Sequence, residues 1–190
     1  MNSKYKNLTR WNEAEFRDFA EEMGDEQLAM LEAFAIAWGK AVHVSTHPAA
    51  LGRYLGPDAL SGHNVERWEE VVATDIFPEG LRSEDFAQAL TIALQSGATG
   101  IGFYADTFWN GQAAPMMHLD TRPDRTPENP RIWVRIKGAY RDIQDVMPVG
   151  WVRAVAVARA NVAPVVAPAI VAPVKAKAKA KTKTTTAKKG

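Results

Sequence analysis

The chain has 190 residues, 46% hydrophobic and 24% charged, the balance of a globular protein with room for one domain and an appendage. It contains no cysteine, which excludes a disulfide framework, a thiol nucleophile and any thiolate-held metal, so a metal would depend on histidines and carboxylates. No apolar run reaches the ~18–20 residues of a membrane span.

The formal net charge of +1 joins two unlike parts. Beyond Pro164 lie seven lysines and no acid; without those seven, 16 basic residues face 22 acidic ones, a formal −6 for the body. A mildly acidic body with a basic tail is expected, divided as an N-terminal helical segment (1–40), a main domain (41–162) and a tail (163–190).

In chain order, 12–23 reads as a helix capped by Asn12, with Glu13 and Glu15 in its first turn and Phe16, Phe19 and Ala20 on one face. Asp25 can cap a second helix ending at Gly39, with Leu28, Leu31, Ala35 and Trp38 near one stripe. Residues 41–45 (AVHVS) alternate as a short strand. A third helix covers 84–96, capped by Ser83 and stopped by Gly97. Three further strands are expected over 100–105 (GIGFYA), 116–121 (MMHLDT) and 132–136 (IWVRI). Helices and strands without regular alternation indicate an α+β fold with a small antiparallel sheet and flanking helices. Residues 163–174 are almost wholly Ala, Pro and Val, the composition of an extended spacer. The Lys/Ala/Thr stretch beyond has nothing to bury and reads as disordered. It suits adhesion to a polyanion, a cell-wall polymer or nucleic acid, or it merely solubilises the chain.

Chemistry concentrates in two segments, Leu60-Ser-Gly-His63 running on to Asp75-Ile-Phe-Pro, and Pro115-Met-Met-His118-Leu-Asp120. On a strand, His118 points away from Met117 and Leu119, and Asp120 shares its face. Two imidazoles and a carboxylate suit Zn²⁺ and leave a fourth position for water, whose pKa such a site lowers towards ~7. The bland alternatives are Asp75 as a turn residue, His118 as a core histidine satisfied by Asp120, and Arg53 as an ordinary surface arginine. His43 and His47 read as structural. Trp11, Trp38 and Trp151 read as packing residues, and Trp109 and Trp133 as rim residues of a cleft.

These blocks resemble the zinc D,D-carboxypeptidase family, whose fold is shared with Hedgehog proteins, and in particular its bacterial and phage peptidoglycan-hydrolase branch. The matching residues are Ser61-Gly-His63, Ala73-Thr-Asp75-Ile76, His118-Leu-Asp120 and Trp133, in the family's order over roughly 42–134. The resemblance implies Zn²⁺ at His63, Asp75 and His118, with Arg53, Ser61 and Trp133 facing substrate. The His63–Asp75 step is longer than the family's usual one, so 64–72 holds an insertion. Where members place a catalytic carboxylate, three residues before the last zinc histidine, stands Pro115. The base is therefore expected to be Asp120, or Glu66, Glu69 or Glu70 from the insertion.

The expected function is a zinc-dependent peptidase that cuts peptidoglycan stem peptides or crosslinks. With no signal peptide legible, it would stay in the host cytoplasm until release or travel with a virion. The rival expectation is a non-catalytic virion structural protein that keeps the fold. A nucleic-acid accessory is disfavoured by the negative body.

Overall fold

The computed structural model describes residues 3–126 and 128–143. The expected tail over 163–190 and Trp151 lie outside the described residues. In chain order the elements are α1 (Asp25–Trp38), β1 (Val42–Val44), α2 (Val65–Trp68), β2 (Ala73–Pro78), α3 (Phe86–Gln95), β3 (Gly100–Tyr104), β4 (Phe108–Trp109), β5 (Gln112–Ala113), β6 (Met116–Asp120), β7 (Arg131–Ile136) and β8 (Ala139–Asp142). Among the described residues no helix is long and apolar enough to cross a membrane.

The α+β expectation holds, but the sheet is a mixed one of six strands in the order β1-β2-β6-β3-β7-β8. Every neighbouring pair is antiparallel except β3 and β7. The parallel pair needs no helical crossover, because β6 ends and β7 begins at the same end of β3: Gly100 is partnered by both Asp120 and Arg131. That end is fastened where Arg131 N donates to Thr99 O (2.9 Å).

Strand alternation gives the sheet two different faces. Val42, Val44, Ile76, Met117, Leu119, Ile101, Phe103, Ile132 and Val134 point to one side and share a buried core with Leu28, Leu31 and Phe34 of α1 and Leu90 and Ala93 of α3. Tyr5, Trp11 and Phe16 from the N-terminal segment join the same core, which is why α1 is buried nearly all round from Gln27 to Ala35.

Several local expectations are corrected. The helix over 12–23 is a 3-10 stretch, Glu13–Phe19, broken at Arg17, where φ is 51°. Asn12 does cap it, through Ala14 N (3.0 Å). The break lets Phe16 enter the core while the Arg17 guanidinium donates to the carbonyls of Ser45 (2.9 Å) and Thr46 (3.1 Å). The cap of α1 is Gly24, not Asp25, and its stop is Gly39 in the left-handed region as read. A 3-10 turn, Ser83–Asp85, precedes α3, and Asp85 rather than Ser83 satisfies the leading amide, that of Arg82 (3.2 Å).

Candidate metal centre

The second face of the sheet carries the polar residues. Asp75 on β2 lies directly opposite His118 on β6, and Ala73 opposite Asp120. On β3 the partners of His118 and Asp120 are Gly102 and Gly100, and Gly102 is partnered in turn by Trp133 on β7. Asp75, whose bland alternative was a turn residue, stands in mid-strand, across from a histidine whose Cβ lies ~5 Å away.

His63 arrives from the loop above this face. Arg53 N donates to His63 O (2.7 Å) and Val65 N to Arg53 O (3.0 Å), a short parallel pairing that fixes the two segments side by side. Fully buried Asn64 donates to the carbonyls of Gly56 (2.7 Å) and Ala59 (2.9 Å) and shapes the loop between them. Trp68 on α2 anchors it by donating to Ser61 O (2.9 Å).

Three ligand atoms then converge. His63 Nε2 lies 3.0 Å from His118 Nδ1 and 3.3 Å from Asp75 Oδ1, and His118 Nδ1 lies 2.9 Å from Asp75 Oδ1. A tetrahedral zinc with bonds of about 2.1 Å holds its ligand atoms about 3.4 Å apart, so the spacing fits such an ion after small adjustment. The outer ring nitrogens are tied to acceptors, which is what a metal-binding histidine needs. His63 Nδ1 donates to Leu51 O (2.6 Å), and His118 Nε2 to Asp120 Oδ2 (3.3 Å). Each outer bond turns a lone pair of the other nitrogen towards the shared point. His63, Asp75 and His118 thus form a group able to hold a metal ion.

Electrostatics agree. Burial alone would raise the Asp75 carboxyl, but its hydrogen bond with His118 and the nearness of the His63 ring (3.3 Å) outweigh it and hold Asp75 well below the usual carboxylate range. Burial likewise opposes charge on His118, and the hydrogen bonds to Asp120 and Asp75 prevail, raising it to about 9. Without a metal, that upward shift favours a proton on His118.

Asp120 does share the face of His118, yet it touches the ring at Nε2, the edge turned away from His63 and Asp75. It is 1% exposed, accepts from Thr99 Oγ1 (3.1 Å), and lies near Arg122 (3.9 Å) and Arg125 (3.6 Å). That placement suits holding the histidine, not taking a proton beside the metal. The glutamates of the insertion are also placed elsewhere. Glu66 accepts from the amide of Gly56, Glu69 closes α2 in the left-handed region, and Glu70 lies against Gly24.

His63, Asp75 and His118 line a cleft of about 720 Å³ together with Arg53, Ser61 and Trp133. Arg53 Nη2 donates to Ser61 Oγ (3.2 Å), while its buried Nε has no partner among the described residues. Ser61 Oγ also accepts from His63 N (3.2 Å), so it braces both the arginine and the ligand loop. The Trp133 ring lies 5.1 Å from that of His118. Trp109 is not at the rim: it packs on Phe77 and His43, and its exposed neighbour Phe108 lines the cleft instead. His47, read as structural, lines the cleft too.

Sequence reasoning passed over Tyr104, Arg131 and Arg135, which share the cleft wall with Trp133. Alternation in Arg131-Ile-Trp-Val-Arg135 was the available signal, since residues two apart on a strand face the same way. Comparison of the chain with family models, with curated proteins and with solved structures finds no match.

Proposed function

We propose that the chain is a zinc-dependent peptidase acting on peptidoglycan stem peptides or their crosslinks, with the fold of the zinc D,D-carboxypeptidases it resembles. The observation that carries this reading is the convergence of His63 Nε2, Asp75 Oδ1 and His118 Nδ1, each histidine braced from behind, in a peptide-sized cleft. A zinc ion held by these three residues supplies Lewis acidity, which acidifies a water and polarises a carbonyl. Arg53 binds a substrate carboxylate or carbonyl through donors that no carboxylate of the described residues occupies. Trp133 walls the centre against bulk solvent, and Asp120 keeps His118 oriented.

A second reading, a virion structural protein that retains the site without turnover, is favoured by one specific observation. Of the carboxylates lining the cleft, Asp75 is a ligand, Asp120 is behind the ring, and Asp142 stands three strands from His118, roughly 14 Å at ~4.8 Å per strand. None is placed to serve as base. Digestion of purified peptidoglycan by the full zinc-loaded chain, read by mass spectrometry, decides between them. The peptidase reading expects newly freed peptide termini that vanish in Asp75→Ala; intact peptidoglycan under saturating zinc supports the structural reading.

A further inference from the structure

We propose that Arg131 and Arg135, on either side of Trp133 on β7, form a subsite for a side-chain carboxylate of an acidic peptide. The inference rests on the peptidase reading and names what its substrate carries beyond the bond to be cut.

Register places the subsite. Arg131, Trp133 and Arg135 pair with Gly100, Gly102 and Tyr104 and so face the cleft with His118. A side chain at residue 102 would bring its Cβ within 2.6 Å of the Trp133 ring, so glycine there lets the indole lie flat on the sheet. Each arginine stands one two-residue step from Trp133, ~6.6 Å along the strand, which corresponds to about two residues of an extended substrate.

Both guanidinium groups are already positioned by aromatic faces. Arg131 Cζ is 5.8 Å from the Trp133 ring centre and Arg135 Cζ 5.6 Å from that of Tyr104. Stacked guanidinium loses little freedom on binding a carboxylate. Among the described residues neither is well neutralised. Arg135 reaches Asp106 only at 4.0 Å, and the other oxygen of Asp106 accepts from Gly138 N. Among the described residues no carboxylate lies within 4.0 Å of Arg131. The body as a whole is negative, and the cleft wall that carries these arginines also carries Asp142, directly opposite Trp133, so the wall suits a single small carboxylate rather than a long polyanion.

The test uses the full zinc-loaded chain and two synthetic peptides ending in D-Ala-D-Ala. They differ only in glutamate or glutamine two residues before the terminal bond. Binding is followed by tryptophan fluorescence and cleavage by mass spectrometry. The wild type should bind the glutamate peptide about tenfold tighter, with the preference shrinking as salt rises. Arg131→Gln and Arg135→Gln should each collapse that ratio, and Arg131→Lys should keep part of it. Equal binding of both peptides by the wild type overturns the proposal. So does a variant that weakens both peptides alike, or an oligonucleotide that binds as tightly as the glutamate peptide. Discrimination without cleavage leaves the subsite standing and removes the peptidase; cleavage without discrimination does the reverse.

Discussion

Asp120 can brace His118 only because residue 100 has no side chain: a Cβ there would stand 2.1 Å from Asp120 Oδ2. Gly100→Ala must therefore push the carboxylate off the ring or spread β3 from β6. It should lower the melting temperature, at a cost of about 1–3 kcal/mol, and weaken zinc binding in a chelator competition. Asp120→Asn keeps the shape and loses the charge. Zinc affinity should fall about 10–100-fold, the usual cost of losing such a partner, and excess zinc should restore any peptidase activity; a loss that zinc cannot restore would return Asp120 to the role of base. Asp75, Asp120 and His118 govern pH dependence in the zinc-free protein. Asp75 and Asp120 are depressed below their ordinary 3.8, so the stability they add is present above about pH 4 and lost on acidification. His118 rises from 6.5 to about 9, so its contribution is complete below pH 6.5 and lost as pH climbs through 9. Urea midpoints should fall between pH 6.5 and 9, and saturating zinc, which replaces the His118 proton, should flatten that decline. A zinc-free midpoint rising over this range contradicts the assignment.

At the scale of elements, α1 does more than fill the core. Fully buried Gln27 donates to Thr74 Oγ1 (3.1 Å) and Leu119 O (3.1 Å) and accepts from Thr121 Oγ1 (3.0 Å). Thr74 precedes Asp75 and Leu119 follows His118, so one amide ties together the two strands that carry the ligands. Gln27→Leu should cost about 2–3 kcal/mol in urea unfolding, since three buried groups lose their partner. An unchanged midpoint would show that the strands hold register without it. β6 was legible because Met117 and Leu119 alternate with His118 and Asp120. β2 was not, because it is buried on both faces and shows no alternation, and because polar Thr74 is satisfied only by a helix distant in sequence. The turns Asn110-Gly111 and Lys137-Gly138, both with positive φ at each residue, close β4–β5 and β7–β8 hairpins. The Asn-Gly pair was a readable sign; Lys at a left-handed position is not one. The broken helix at Arg17 depended on distant carbonyls that no local pattern announces.

At the scale of the described molecule, the six-stranded mixed sheet separates two environments, an apolar side packed by α1 and α3 and a polar side holding the cleft. The α+β class was readable from the order of helices and strands. The parallel β3–β7 pair was not, because it depends on β6 ending and β7 beginning at the same end of β3. The identities of His63, Asp75 and His118 were legible from motif order; the braces behind them, Leu51 O and Asp120, follow from tertiary structure. The most direct test is the zinc content of the full chain, by mass spectrometry after exhaustive dialysis, beside His63→Ala, Asp75→Ala and His118→Ala. One zinc per wild-type chain, and loss of it in each folded variant, is the predicted result. A wild type that retains none, or variants that retain as much as the wild type, would contradict the account.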